Sequence, residues 1–178
     1  TTLVQIVSAS DADLPAQTVT YSITGGADAG RFAINAATGV LTFVAPSNFE
    51  SPSDADANNV YEVEITAGDN AGQTTPQLIS VTVTPVNDHS PTFTSPAAVS
   101  VNENTTLVQI VSASDADLPA QTVRYSITVG AGAGRFALNA ATGVLTFVAP
   151  PNFESPSDAD ANNVYELEIT AGDNAGKT

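Results

Sequence analysis

The acidic side chains of this chain are concentrated in short motifs. Residues 101–178 carry them in "NEN", "SDAD", "NFE", "DADANN" and "AGDNAG", and residues 1–74 carry the last four motifs at matching places. Two like charges about 4 Å apart cost roughly 4 kcal/mol at an effective dielectric near 20, so gathered carboxylates need water or a cation between them. Oxygen donors in irregular loops suit Ca2+, which takes about six to eight oxygen ligands. The acidic motifs therefore predict binding of Ca2+.

Composition argues against several other chemistries. The 178 residues have a formal net charge of −15 and include no Cys, Met or Trp. Nucleic acid and anionic membranes are not expected as partners, because binding to phosphate needs clustered Lys and Arg. Catalysis is not expected either, since the sequence offers no Ser-His-Asp grouping, no Cys nucleophile and no Gly-rich phosphate loop. The sequence contains no run of about 18 apolar residues, which is the length that would predict insertion into a membrane.

Residues 1–74 and 105–178 are two copies of one sequence, aligned without a gap at an offset of 104 residues. A fixed period of domain length indicates tandem modules. We predict domains at 1–88 and 89–178, joined through "PVNDHSP" at residues 85–91; the first lacks its first strand and the second its last. The copies differ only at Thr20/Arg124, Gly25/Val129, Asp28/Gly132, Ile34/Leu138, Ser47/Pro151, Val63/Leu167 and Gln73/Lys177.

Within each copy, short β-branched segments alternate in polarity with a period of two. They are "TLVQIVSAS", "TVTYSIT", "GRFAIN", "GVLTFV", "YEVEITAGD" and "LISVTVTPV", and "AAVSVNEN" predicts a strand at residues 97–104. The pattern predicts an all-β fold of tandem seven-stranded Greek-key β-sandwiches whose terminal strands are cut off. Open sheet edges of this kind favour strand exchange with another molecule. The expected core of the first repeat is Leu3, Ile6, Tyr21, Ile23, Phe32, Leu41, Phe43, Tyr61, Val63 and Ile65.

The order of these motifs resembles the cadherin repeat. "FAINAATGVLTF" is similar to the family's F-x-I-D-x-x-T-G-x-L, "NFE" to L-D-R-E, "AGDNAG" to A-x-D-x-x-G and "VNDHSP" to D-x-N-D-N-x-P. The resemblance covers essentially the whole chain. It implies immunoglobulin-like sandwiches with Ca2+ bound at each junction, in a large extracellular, cell-surface adhesin that we expect to be bacterial.

Carried over position by position, the resemblance also implies a set of Ca2+ ligands. At the junction these are Glu50, Asn87, Asp88, the main-chain carbonyl of His89, Asp115, Asp117 and Asp173. The half-sites implied at the two ends comprise Asp11, Asp13 and Asp69 at one end, and Glu103 and Glu154 at the other. Asn48 and Asn152 stand where the family has Asp, and Pro85 replaces the first acid of the linker motif, which weakens the ions nearest the first repeat.

One loop, "SPSDADANNVYE", is longer than its counterpart in the family. It has acidic and amide side chains at i, i+2 and i+4, the spacing that opens an EF-hand loop, although no Gly or twelfth-position Glu follows. These side chains could bind a separate ion or bend toward the junction. They are Asp54, Asp56 and Asn58 in the first repeat and Asp158, Asp160 and Asn162 in the second.

Two functions remain open from the sequence. The first is a Ca2+-rigidified module of an extracellular cell-adhesion protein, acting in adhesion or as a stiff extender; its partners would be neighbouring repeats of the array and identical repeats on another chain. Extracellular modules bind Ca2+ with dissociation constants of about 0.1–1 mM, which favours a location outside the cell. The second is a carbohydrate-binding β-sandwich with a surface glycan as ligand. The lack of Trp and the burial expected for the tyrosines argue against it.

Overall fold

The computed structural model describes residues 2–178, so that Thr1, the first residue of the predicted first repeat, lies outside the described residues. The chain divides into two compact units, Thr1–Pro85 and Val86–Thr178. The residues from Val86 to His89 therefore belong to the second unit. The domain limits 1–88 and 89–178 stay a prediction.

The first unit consists of two antiparallel sheets. Its strands are β1 (Thr2–Ile6), β2 (Thr20–Gly25), β3 (Phe32–Ile34), β4 (Val40–Phe43), β5 (Val60–Gly68) and β6 (Thr74–Thr82). One sheet has the order β1-β4-β3 and the other the order β2-β5-β6. A 3-10 turn over Ala29–Arg31 precedes β3.

Three aromatic rings join the two sheets of the first unit. Phe32 on β3 stacks on Phe43 on β4 with ring centroids 4.8 Å apart, and Phe43 meets the edge of Tyr61 on β5 at 5.2 Å. Tyr61 and Val63 are buried, with 1% and 0% of their surface exposed. Because inward-facing residues of both sheets share one core, the all-β sandwich prediction is confirmed.

Two residues of β1 that were predicted to lie in the core are exposed, so this part of the prediction is wrong. Leu3 and Ile6 are 59% and 65% exposed, whereas Val7 is buried. The register of β1 against β4 shifts between Leu3 and Gln5, which leaves Val4 as an extra residue. Such a bulge breaks the alternation of faces that a period of two assumes. Leu3 and Ile6 consequently point to the outer face of the sheet.

The second unit repeats this plan, with shorter equivalents of β1 and β5. They are β7 (Thr92–Phe93), β8 (Leu107–Ile110), β9 (Ala113–Ser114), β10 (Arg124–Val129), β11 (Phe136–Leu138), β12 (Val144–Phe147) and β13 (Glu168–Gly172). The sheets are β11-β12-β8, β10-β13 and β7-β9. The aromatic cluster recurs, with Phe136 and Phe147 at 4.7 Å and Phe147 and Tyr165 at 5.1 Å.

The strand predicted at residues 97–104 is not formed. The structure has no strand between Phe93 at the end of β7 and Leu107 at the start of β8. A strand needs a neighbour that takes up its hydrogen bonds. At the offset of 104 residues the counterpart of β6 would begin at Thr178, so the described chain contains no such neighbour.

A tight hairpin between β11 and β12 contacts the chain that leaves β8. The side chain of Asn139 accepts hydrogen bonds from the Ala141 and Thr142 amides at 3.0 and 3.1 Å. Gly143 closes the turn with φ +69°, and a Cβ at this position would overlap the carbonyl of Val111. The Val111 amide donates to the Gly143 carbonyl at 2.8 Å. Only glycine combines this backbone conformation with such a close approach.

Candidate metal centre

Three carboxylates of the second unit come together at strand ends. Asp115 and Asp117 directly follow β9, and Asp173 directly follows β13. Each of the three offers an oxygen within 4.8 Å of the others. Asp117 is the most enclosed of them, with 1% of its surface exposed. Charges this close repel strongly when they are shielded from water, so the cluster needs positive charge or hydrogen-bond donors.

The segment at the start of the second unit supplies donors to this cluster. The side-chain amide of Asn87 donates to Asp173 at 2.9 Å, and the main-chain amide of His89 donates to both oxygens of Asp117 at 3.3 Å. The His89 ring nitrogen Nδ1 lies 2.7 Å from Asp117 and 2.9 Å from Asp88. The segment is thereby fixed to both acidic loops.

Hydrogen bonds keep two of these carboxyl groups in the charged form. Burial by itself raises the pKa of Asp117, but hydrogen bonds from the His89 ring and the amides of His89 and Asp88 outweigh it, and the pKa of Asp117 is lowered. Burial likewise opposes ionisation of Asp173, but the Lys177 amide and the Asn87 side chain lead the contacts that lower its pKa. Both groups are therefore anionic at neutral pH.

The donor set fits Ca2+. Asn87 Oδ1 and Asp115 Oδ2 are buried and have no hydrogen-bond partner, although buried oxygens are normally paired. Together with Asp117 and Asp173 they form a set of carboxylate and amide oxygens, which are the ligands that Ca2+ prefers. The residues that would hold the ion are Asn87, Asp115, Asp117 and Asp173.

The first unit has the equivalent cluster, and the described residues 2–178 contain no counterpart of Asn87 and His89 beside it. Asp11, Asp13 and Asp69 offer oxygens within 4.8 Å of one another, and Asp69 Oδ2 is buried without a hydrogen-bond partner. The Asp13 amide donates to Asp11 at 2.7 Å. Asp11 and Asp13 are exposed to solvent. The resemblance to the cadherin repeat implied a half-site of the same three residues, and metal binding by them stays a prediction.

The remaining predicted ligands lie in turns. Glu50 belongs to the first unit, where its amide donates to Asn48 at 2.8 Å, and its part in a shared site stays a prediction. Glu103 accepts a hydrogen bond from the Phe153 amide at 3.0 Å, one residue before Glu154. Glu103 and Glu154 are not among the groups of three or more possible metal ligands found in the described residues.

Sequence reasoning missed two side chains that organise the loops. Only the main-chain carbonyl of His89 was assigned a role from the sequence, yet its ring contacts Asp117 and Asp88. Asp28 was noted only as a difference between the copies, but it is 5% exposed and accepts the Ala55 and Glu62 amides at 2.7 and 2.8 Å. No spacing rule connects Asp28 with a loop so distant in the sequence.

Comparison with known proteins gives the family. The profile of the cadherin domain matches residues 1–84 and 97–178. Protocadherin Fat 4 of Mus musculus is 36% identical over 180 residues, which cover 97% of this chain and 3% of that protein. Cadherin EGF LAG seven-pass G-type receptor 3 of Rattus norvegicus is 38% identical over 164 residues, covering 86% of this chain and 5% of the relative. This chain thus spans only a small part of these relatives.

Solved structures show the same fold. Mouse cadherin-23 EC22-24 superimposes with a TM-score of 0.69 at 22% identity, over 99% of this chain and 54% of that one. Drosophila N-cadherin EC1-4 gives a TM-score of 0.61 at 28% identity, over 89% of this chain and 37% of that one. No helix within residues 2–178 is long and apolar enough to cross a membrane. With both repeats matched by the domain profile, this chain belongs to the cadherin family.

Proposed function

We propose that this chain is a calcium-binding pair of cadherin repeats from an extracellular cell-adhesion protein, in which bound Ca2+ stiffens the array. It would act in adhesion itself or as a stiff extender that carries another adhesive domain. Neighbouring repeats of the array are the expected partners, and identical repeats on another chain are the second candidate. Catalysis forms no part of this function.

The attachment of residues 87–89 to the acidic loops carries the proposal. Asn87 and His89 reach the two loops that present Asp173 and Asp117, and two buried oxygens in this group lack partners. A set of oxygens with this composition accommodates a hard divalent cation. The same segment follows β6 in the chain after only a few residues, so a bond to it restrains the tether between the repeats.

The residues of the chain then have distinct tasks. Asp115, Asp117 and Asp173 provide negative charge, Asn87 provides a neutral oxygen from the tether, and we propose that Glu50 and Asp88 add ligands. A bound Ca2+ supplies the positive charge that allows these oxygens to stay close together. Without it the carboxylates repel one another, so the loops and the tether gain freedom. At dissociation constants of about 0.1–1 mM the site would fill outside cells and stay empty in the cytosol.

Small-angle scattering of the full chain with and without Ca2+, paired with thermal melts, tests the proposal. We expect a longer, stiffer particle and a higher melting temperature in millimolar Ca2+, and Asp115→Ala should remove most of both changes. Asp11→Ala is the matched control, because Asp11 occupies the same place in the first repeat but has no preceding tether in the described chain. Identical scattering curves with Ca2+ and with chelator would refute the stiffening role.

A carbohydrate-binding role receives less support from the site. Sugar platforms use exposed aromatic rings, but Tyr21, Tyr61 and Tyr125 are buried in the two cores. Glycan-array binding that survives Asp115→Ala and Asp117→Ala would favour this alternative over adhesion through calcium-stiffened repeats.

A further inference from the structure

A second group of oxygen donors lines a cavity of the second unit, in the loop that precedes β13. The cavity has a volume of about 240 Å3. Within the loop its lining includes the alternate positions Asp158, Asp160, Asn162, Val164 and Glu166. None of these positions belongs to the Asp115, Asp117 and Asp173 cluster.

Those five positions match the first part of an EF-hand loop. An EF-hand presents oxygens from positions 1, 3 and 5, a main-chain carbonyl from position 7, and a side chain or water at position 9. Counting from Asp158, all five of these positions are among the residues that line the cavity, together with Ala159 and Tyr165 of the same loop. Alternation in a strand cannot explain why Asp158, Asp160 and Asn162 converge with Val164, because the loop turns through the left-handed residues Ala161 and Asn163 before it.

The backbone of the loop also has the turn that the sequence seemed to lack. EF-hand loops place an invariant Gly at position 6 for a sharp turn. Asn163 holds position 6 here with φ 65°, and its equivalent Asn59 has φ 64°. Asn adopts left-handed conformations more readily than most residues. The missing Gly is therefore no obstacle to an EF-hand-like conformation.

The same loop in the first unit contains a buried oxygen without a partner. Asp54 is 8% exposed, and its Oδ2 accepts the Asn58 amide at 2.7 Å while its buried Oδ1 has no hydrogen-bond partner. The equivalent oxygen of Asp158 accepts only a long hydrogen bond, 3.2 Å, from the Asn163 amide. Within residues 2–178, no Lys or Arg forms an ion pair with Asp54. A buried carboxylate oxygen of this kind needs a cation or a donor.

We propose that the loops 54–62 and 158–166 are each a Ca2+ site, separate from the acidic clusters that follow β9 and β13 and their equivalents. The ligands are the side chains at the first, third and fifth positions and the main-chain carbonyl at the seventh, with the glutamate at the ninth position binding directly or through water. In the first unit this loop and Asp69 lie at opposite ends of β5, about 26 Å apart at about 3.3 Å per residue. One ion cannot serve both places.

The two loop sites differ in how firmly they are held. Asp28 accepts the Ala55 and Glu62 amides and so fixes both sides of the loop in the first unit. In the second unit Gly132 takes its place, has no side chain to do this, and lines the open cavity. A preorganised loop loses less entropy when its ligands are fixed. The loop in the first unit therefore binds the tighter of the two ions.

Equilibrium dialysis of the full chain against radioactive Ca2+ counts the ions directly. Asp56→Asn and Asp160→Asn should each remove one ion, and the double variant two, while Asp115→Asn leaves both loop ions bound. Asp56 and Asp160 are exposed, whereas Asp115 is half-buried, and circular dichroism checks that each variant keeps its strand content. Glu168→Gln, which removes one exposed charge outside the cavity, is the control and should leave the count unchanged. A double variant that binds as many ions as the parent chain overturns the proposal.

Terbium luminescence locates the ion by a separate measurement. Tyr165 lines the cavity, so its ring can sensitise Tb3+ held by the loop of the second unit. We expect the sensitised emission to fall in Tyr165→Phe and in Asp160→Asn and to persist in Asp173→Asn. Emission that disappears in Asp173→Asn but survives Asp160→Asn would assign the ion to the other cluster and refute a loop site. The loop sites can be tested independently of the stiffening role. If Asp115→Asn removes only the ion of the acidic cluster, equilibrium dialysis still counts the two loop ions.

Discussion

The two repeats are nearly the same sequence in two different settings. They differ at seven of 74 aligned positions, yet β5 has nine residues and its equivalent β13 has five. In the first repeat β6 pairs with β5 along its whole length, whereas the described part of the second repeat contains no counterpart of β6. Tyr61 is consequently buried and its equivalent Tyr165 only half-buried. The neighbouring strand, and not the strand's own sequence, decides how far this strand extends.

The acidic clusters differ in the opposite sense, since the cluster of the second repeat is the more enclosed. Asp117 is 1% exposed because the residues from Asn87 to His89 cover it, whereas the equivalent Asp13 has no such cover in the described chain and is exposed. The first repeat therefore has the more complete sheet and the second the more enclosed acidic cluster. Each repeat of an array depends on the chain that flanks it for one of these two features.

Replacing the core tyrosine of each repeat by alanine should give the largest difference in unfolding free energy between the two repeats. Tyr61→Ala removes a fully buried ring that contacts Phe32 and Phe43, which should cost about 3–5 kcal/mol of unfolding free energy. Tyr165→Ala should cost about half as much, since that ring is only half-buried. Urea denaturation measures both values. Equal losses would mean that β6 does not account for the difference between the cores.

Calcium should stabilise the second repeat through Asp117 more than the first through Asp13. An ion at 100 times its dissociation constant adds about 2.7 kcal/mol to the stability of the folded state. Asp117→Ala should remove the part of the Ca2+-dependent rise in melting temperature of the second repeat that comes from this cluster, and leave the part that comes from the loop 158–166. Asp13→Ala should leave that rise intact, and an equal effect of the two variants would contradict a site organised by the tether.

The effect of the Asp28/Gly132 difference on stability should be measurable by substitution in either repeat. Asp28→Ala leaves the Ala55 and Glu62 amides without their acceptor, at a cost of about 2 kcal/mol. Gly132→Asp should return a smaller gain of about 1 kcal/mol, because a Cβ there lies 2.9 Å from the Glu166 carbonyl and the backbone must adjust. Chemical denaturation in the presence of a chelator excludes any contribution of Ca2+. A neutral Asp28→Ala variant would show that the loop holds itself in place.

The smallest expected effect concerns a link between the two acidic loops. Asn174 accepts the Thr122 amide at 3.2 Å, and Asn70 accepts Thr18 at the same distance in the first repeat. Asn174→Ala should cost about 1 kcal/mol of stability, since it removes one exposed hydrogen bond. It should also weaken the Ca2+ affinity of the second repeat, as measured by calorimetry, while Asn70→Ala leaves that affinity unchanged. A stability loss with no change in affinity would limit Asn174 to a structural role.

Much of the fold could be predicted because the alternation of polar and apolar residues and the order of the motifs can be read directly from the sequence. The strands β2 and β5 follow from alternation, and the position of the acids at strand ends indicates that they gather at the ends of the sandwich. The specific grouping of Asp115, Asp117 and Asp173 came from the resemblance to the cadherin repeat. The outward direction of Leu3 and Ile6 does not, since a bulge is invisible in the alternation that it interrupts.

The unpredicted parts of the sites depend on contacts between residues far apart in the sequence. The His89 ring meets Asp117 across 28 positions, and Asp28 meets the Ala55 amide across 27. Neither pair has a characteristic spacing. The loop at Asp158 was recognised from its spacing, but the cavity that its alternate residues line became evident only from the folded backbone.

The hairpin glycine extends the set of residues on which metal binding depends. Any side chain at Gly143 would collide with the Val111 carbonyl and displace the chain that leads from β8 toward Asp115. Under the proposed function, a substitution in that turn would thus weaken Ca2+ binding while leaving every carboxylate in place. As the repeats of such an array diverge, the acidic motifs therefore depend on an uncharged turn as well as on their own carboxylates.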